Sequence, residues 1–365
     1  MKLIIATGIS GCGRKEHAKE WADYCEKKGK KVKVYNTGEL MFRFAKDMGL
    51  KLNKNNILNA DPTLLDVLRS AVLNGILEEL QNYSNYDAVV LHIHSYFYWN
   101  SIFIPSFDRF ISRFKTDMFV TFIEDFRRVK ENLNQRQQWV DQGASGKGLT
   151  DHEILWWQNI EVETTRLLAN FANKPFFAVP ALSSVATFYK LVFHPEIETA
   201  YLAMPISHFR EAKQRKVIDE LAVELDKYFA LFNPLSVEVV GAIPLGSRED
   251  QNKDTVLYRH IVYRDERWFV GQADVVIVFW PKVEIPSSIE MNAELMKMFP
   301  KTVPSPGADH ETHEAFNKTK DVWVLFLGEE ASPFVVHYAT KMFYDKNGLL
   351  NFIKERYPER MKMDW

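Results

Sequence analysis

The sequence predicts two tandem three-layer α/β domains with mostly parallel sheets, and three observations carry that expectation. An apolar run that ends in a tight turn and leads into a charged, helix-like stretch opens the chain at Leu3–Thr7 and recurs at Ala200–Met204. Strand-like runs alternate with helical patterns, which is the arrangement that pairs strands in parallel. The chain has 365 residues, the length of about two domains of roughly 150 residues each. The boundary is expected near His194–Glu198, where Pro195 and Glu196 interrupt the pattern, giving domains 1–196 and 197–365.

In the first half, Leu3–Thr7, Lys31–Tyr35, Ala88–His92, Phe119–Ile123 and Phe176–Val179 read as buried strands. Helical patterns cover Lys15–Lys28, Pro62–Gln81 and Ile154–Ala172. Residues 141–150, DQGASGKGLT, are too polar and glycine-rich for a core and read as a mobile loop. In the second half, a helix is expected over Glu211–Tyr228 and strands at 200–204, 237–241, 274–280 and 322–327. The polar, proline-containing stretch 300–319 reads as a surface loop.

Composition narrows the function. With 46 Lys and Arg against 48 Asp and Glu, the net charge is −2, which gives no general attraction to nucleic acid or anionic membrane. Two cysteines, Cys12 and Cys25, exclude a disulfide framework and a Cys-rich zinc site and point to a reducing, cytoplasmic setting. The opening apolar run is too short for a signal-peptide core, and no run reaches the roughly 18–20 residues of a membrane span.

Gly8-Ile9-Ser10-Gly11-Cys12-Gly13-Arg14-Lys15 follows a strand and opens a helix, the context in which backbone N–H groups and a helix N-terminus hold phosphate. Gly8 and Gly13 satisfy GxxxxG. The usual lysine position holds Arg14, which can still contact phosphate, and the metal-binding Ser/Thr position holds Lys15. The strand that commonly carries a magnesium-binding aspartate offers His92 and His94 instead, so both usual Mg²⁺ supports are missing. With YNTGEL at 35–40, Arg69 on the following helix and FVTFIEDF at 119–126, residues 1–195 resemble the adenylate kinase-like family of P-loop nucleoside monophosphate kinases. The resemblance implies that Gly8, Gly11, Gly13, Arg14 and Lys15 surround a polyphosphate, that Arg69 meets an acceptor phosphate, and that Arg136 serves a lid. ATP, with or without Mg²⁺, would be the ligand.

The second half carries AYLAMPISHFREAKQR (200–215), YRDERWFVGQADVVIVF (263–279), PSSIEMNAELMKM (286–298) and SPFVVHYATKMFYDKNGLLNFI (332–353), the last read as a closing helix pair. These pieces resemble the nucleoside 2-deoxyribosyltransferase superfamily, including the 2′-deoxynucleoside 5′-monophosphate N-glycosidases. A flavodoxin- or Rossmann-like fold is implied, with cleavage or transfer at an N-glycosidic bond of a nucleoside or nucleotide, no cofactor for that chemistry, and a homodimer or higher homo-oligomer. Such a reaction needs a carboxylate beside C1′ and a second acid for the departing base. By resemblance Glu294 is the nucleophile, Asp265 or Asp274 the second acid, Tyr201 a neighbour of the sugar, and Ser288, Ser287 and Arg210 the substrate-binding residues. Glu290 stands where that family usually has glycine, and the spacing from Asp265 to Asp274 is one residue longer than the family pattern.

Other motifs read as structural. In Asp309-His310-Glu311-Thr312-His313 the histidines are three apart, not the four that place two on one helix face as metal ligands. His92 and His94 share a strand face and read as satisfied pocket histidines. Trp268 and Phe269 read as core, and Lys27–Lys31 as a solvated helix end.

Overall fold

Every residue from Leu3 to Thr7 is buried, as happens where a strand lies mid-sheet with both faces covered. The computed structural model describes residues 1–53, 55–57, 60–82, 85–99, 102–106, 111–142, 147–206, 212–237, 255–282, 305–363 and 365. It divides the chain into two units, Met1–Val192 and Phe193–Trp365.

In the first unit, strands β1 (Lys2–Thr7), β2 (Val32–Asn36) and β3 (Ala88–His92) are followed by a hairpin of β4 (Tyr96–Trp99) and β5 (Ile102–Pro105), then by β6 (Met118–Ile123) and β7 (Phe176–Pro180). Five of them form a parallel sheet in the order β2-β3-β1-β6-β7. The helices are α1 (Arg14–Lys27), α2 (Thr37–Asp47), α3 (Pro62–Asn82), α4 (Phe126–Asn134), α5 (Gln137–Val140), α6 (Asp151–Ala172) and α7 (Val185–Phe193). One face of the sheet is closed by a core in which Leu3, Ile5, Val89 and Leu91 meet Leu68, Leu73 and Ile76 of α3. The expected loop 141–150 is anchored at its far end: Leu149 is buried, and Thr150 and Glu153 form a capping box that starts α6. Its residues 143–146 lie outside the described ones.

The second unit has strands β8 (Thr199–Ala203), β9 (Ala230–Phe232), β10 (Val275–Trp280), β11 (Asp321–Phe326) and β12 (Lys341–Phe343). They form a parallel sheet ordered β12-β11-β10-β8-β9. Counted within the unit this is 2-1-3-4-5, the flavodoxin-like order, whose ligand crevice opens at the carboxyl ends of the first and third strands. Helices α8 (Ala212–Asp226), α9 (Thr255–Tyr263), α10 (Pro306–Asn317), α11 (Pro333–Tyr338) and α12 (Lys346–Arg356) complete it. Beyond α9 the helix continues as a π-helical turn, Arg264–Phe269, and ends at Val270–Gln272.

Two expectations are corrected here, and a third lies almost wholly outside the described residues. The second strand of this unit among the described residues is Ala230–Phe232; of the expected strand 237–241, Val237 follows a turn started by Asn233 and Pro234, and 238–241 lie outside the described residues. The stretch 300–319 contains a helix, because Ser305 caps it, Pro306 fits its first turn, and Ala308, Glu311, Thr312 and Ala315 make a buried stripe at helical spacing. The closing segment is helix, strand, helix, since Lys341–Phe343 pairs with β11. Both cysteines are free and buried, and no helix among the described residues is long and apolar enough to cross a membrane.

Candidate functional site

The loop 8–13 leaves the carboxyl end of β1 and turns straight into α1. Gly8 is required by its surroundings: at φ +147° a Cβ would lie 2.8 Å from the Phe122 carbonyl oxygen and 2.9 Å from Cys12 Sγ. Gly11 and Gly13 also have positive φ, +83° and +79°. Gly13 is the N-cap of α1 and no side chain caps the helix, so its positive end faces the loop. Cys12 is no nucleophile, because burial pushes its thiol up to about 11.

The loop is held from below by Glu161 of α6, which is wholly buried. Its Oε1 accepts the N–H groups of Gly8 at 3.0 Å and Ser95 at 2.9 Å. Its Oε2 accepts the Tyr96 N–H at 2.9 Å and the Ser95 hydroxyl at 2.7 Å. Burial pushes this carboxyl above the usual carboxylate range, while the Ser95 and Tyr96 bonds and the Arg14 charge oppose the shift. Beside it, Thr7 Oγ1 meets the hydroxyls of Thr121 and Thr165, each at 2.8 Å.

A cavity of about 640 Å³ opens beside the loop, at the carboxyl ends of β2 and β3, a volume typical of small-molecule sites. Ser10, Arg14, Lys15, Arg69 and Arg136 all line it, so the structure brings the basic residues of the sequence reading to one place. The rest of its wall is largely apolar, with Phe42 of α2, Leu65 of α3, Phe97 of β4 and Trp139 of α5.

Their partners differ from the expectation. Arg14 Nη1 donates to the carbonyls of Gly8 and Ile93, both at 2.6 Å, and its Nη2 lies 2.9 Å from His94 Nε2. The guanidinium therefore braces the loop against the end of β3 and is not splayed for a bidentate phosphate contact. Lys15 pairs with Glu39 of α2. Arg69 donates to Asp66 Oδ1 at 3.1 Å and to the Pro105 carbonyl at 3.4 Å. Arg136 sits at the N-cap of α5 and is exposed. His92 and His94 both line the cavity, but His92 is not a satisfied histidine: it is 2% exposed and neither ring nitrogen has a hydrogen-bond partner.

Glu124, just past β6, is a second buried carboxyl in this unit. It accepts the Asp125 N–H and an Arg128 Nη1–H, each at 2.8 Å, yet burial outweighs both and raises it from 4.5 to about 7.

In the second unit the structure brings Tyr201 and Asp265 into one buried cluster. The Tyr201 hydroxyl donates to Glu311 Oε1 at 2.9 Å, and Asp265 accepts from Arg264 Nε at 2.8 Å. All four residues are buried. Burial and the nearby Asp265 charge push Glu311 well above the carboxylate range, and burial and Glu311 push Tyr201 well above its own. Glu311 Oε2 is buried without a hydrogen-bond partner. Asp274 stands apart, at the amino end of β10, where its carboxylate accepts from the Thr199 N–H and hydroxyl, each at 2.8 Å. That is a strand-start clamp, at the end of the sheet opposite the ligand crevice. Glu294, Ser287, Ser288, Arg210 and Glu290 lie outside the described residues. Trp268 and Phe269 are core, as expected. Among the described residues no cluster of His, Cys, Asp or Glu could hold a metal ion.

Comparison with known proteins fits the first of these sites. Residues 7–143 match the family model of the AAA domain. Among solved structures the chain is similar to a conserved protein from Enterococcus faecalis V583, with 13% identity over 44% of this chain and 99% of that one and a TM-score of 0.28. It is also similar to a gluconokinase from Sinorhizobium meliloti 1021, at 14% identity, 51% and 85% coverage and TM-score 0.26. A shikimate kinase from Bacteroides thetaiotaomicron gives 15%, 48%, 86% and 0.29. At these TM-scores the likenesses add nothing to the strand order itself. No curated protein matches the chain significantly. The glycine loop between β1 and α1, the parallel sheet and the family match together give the first unit the architecture of a P-loop domain.

Sequence reasoning missed Glu161 and Glu311. Glu161 carries no local motif; its partners are 65 or more residues away. Glu311 was visible as a member of the buried stripe of α10, had Ser305-Pro306 been taken as a helix start.

Replacing Glu161 by Gln places an amide N–H₂ against N–H donors. Loss of about 3 kcal/mol or more is expected, read as a large fall in melting temperature; unchanged stability would contradict the role given to this carboxylate. Glu124 yields a pH signature. Its folded value is raised, so its stabilising contribution is complete below pH 4.5 and is lost as pH rises through about 7. Glu124→Gln does not titrate, so its melting temperature relative to the parent protein should climb by several degrees from pH 5 to pH 8. A constant difference across that range would show that Glu124 titrates normally.

Proposed function

We propose that Met1–Val192 binds a nucleotide, with phosphate on the loop 8–13 and the N-terminus of α1, and the base and sugar against the apolar wall of the adjoining cavity. The cavity is the observation that carries this reading: one space is lined by Ser10, Arg14, Lys15, Arg69 and Arg136 on its polar side and by Phe42, Phe97 and Trp139 on the other. Calorimetry with ATP, ADP and AMP tests it. Saturable binding is expected, weakened about tenfold in Arg136→Ala, equivalent to about 1.4 kcal/mol. No binding of any of the three up to millimolar concentration would dismiss the proposal.

Transfer of a phosphoryl group to a second nucleotide, as in a nucleoside monophosphate kinase, is favoured by one feature. Arg69 and Arg136 reach the same cavity from elements outside the loop, as an acceptor phosphate would require. Formation of ADP from ATP and a nucleoside monophosphate panel, lost in Arg69→Ala and in Arg136→Ala, would support it.

For Phe193–Trp365 we propose cleavage or transfer at the N-glycosidic bond of a (deoxy)nucleoside or its 5′-monophosphate. What supports it is the 2-1-3-4-5 sheet together with the meeting of Tyr201 and Asp265. In this reading Glu294 stabilises or attacks the cationic C1′, and Asp265 assists departure of the base. Chromatography of a nucleoside and nucleotide panel should show free base, abolished in Glu294→Ala and reduced at least about a hundredfold in Asp265→Asn. Ligand binding without product across the panel would leave a nucleotide sensor in place of an enzyme.

A further inference from the structure

We infer that the phosphate site of the first unit works without a divalent cation, and that His92 fills the place beside the phosphate that a metal-binding carboxylate commonly holds. The inference rests on the nucleotide-binding reading above and adds to it the form of ligand that the site accepts: the free nucleotide and not its magnesium complex.

Four observations point this way. The residue that follows Arg14, where a metal-binding hydroxyl is needed, is Lys15, and its ammonium is turned to Glu39. The end of β3, alongside the loop through the register Ala6–His92, carries an imidazole and no carboxylate. Of the carboxylates near the loop, Glu161 has both oxygens committed to Gly8, Ser95 and Tyr96, and Glu124, whose charge reaches Cys12, accepts from the Asp125 N–H and from Arg128. Finally, His92 lines the cavity at 2% exposure with both ring nitrogens unpaired. A buried polar group without a partner is costly and calls for an explanation. A phosphate oxygen accepting from its N–H supplies one.

The neighbouring groups fit such a role. Burial, and the positive charge of Arg14, push His92 down to about 3, so it is a neutral ring that carries one N–H donor. An imidazole of this kind adds a donor without adding a second fixed cation beside Arg14. His94 is engaged at one nitrogen: its Nε2 accepts from Arg14, while its Nδ1, 3.7 Å from Glu161 Oε1, has no hydrogen-bond partner. His94 therefore positions Arg14, and His92 is the ring with both nitrogens left for the ligand. A magnesium ion between two phosphates would meet His92 and Arg14 as like charge or as a donor, where it needs oxygen ligands.

The test is calorimetric titration of ATP into the full-length protein in EDTA and again in excess Mg²⁺, with His92→Ala and His92→Gln alongside. The expected result is binding in EDTA that Mg²⁺ leaves unchanged or weakens, an affinity about tenfold lower in His92→Ala, and recovery in His92→Gln, which keeps an N–H donor. The ligand-free melting temperature of His92→Ala should not fall in step with the affinity, which separates ligand contact from packing. Binding at least tenfold tighter with Mg²⁺ than in EDTA overturns the inference while leaving the nucleotide site standing. Parent-like affinity in His92→Ala overturns the role of the histidine. Absence of binding in both buffers removes the nucleotide reading and this inference with it.

Discussion

The carboxylate of Glu161 is the constraint on which the first unit is organised. It lies in the interior with four donors around it, three of them backbone N–H groups that no strand or helix satisfies. A glycine loop and the connection that leaves β3 both expose backbone donors inside the protein, and something must accept from them. One acidic residue on α6 serves both, so the loop's starting point and the wall of the cavity are set by the same group. Arg14 completes the arrangement from above through the Gly8 and Ile93 carbonyls. The carbonyl of Gly8 is thus tied locally, to Arg14, and its N–H to a residue 153 positions away.

The second unit shows a related economy with a different outcome. Its sheet buries a tyrosine, and the tyrosine's hydroxyl is answered by Glu311, whose other oxygen has no hydrogen-bond partner. With Asp265 and Arg264 nearby, the cluster around Tyr201 brings two buried acids beside a buried arginine. A satisfied structural network would pair every atom. The leftover oxygen on Glu311 marks this cluster as chemically distinct from the clamp that Asp274 makes with Thr199.

Most of the architecture was legible, because strands buried on both faces announce themselves as continuous apolar runs. The five strands of the first sheet match their apolar runs to within a residue at either end. Short elements held by tertiary contacts were not legible: β9 and β12 are three residues each, too brief for any periodicity. The helix α10 was hidden by its polar composition, which extends even to Glu311 and Thr312 on its buried face. Site residues divided the same way. Glycines and arginines near the loop were found because phosphate chemistry fixes their neighbourhood in sequence. The acids at 161 and 311 act across the fold, and nothing adjacent to them signals it.

The bond from the Gly8 N–H to Glu161 spans 153 residues, and this has a bearing on how the domain comes into being. The loop and helix α1 leave the ribosome well before the group that fixes the loop, and β7 is made later still. Contacts of such long range are slow to form. During synthesis the glycine turn therefore lacks the acceptor that fixes it until α6 has docked. A fragment ending at residue 143, where the family match stops, contains every residue of the loop and lacks the acid that shapes it.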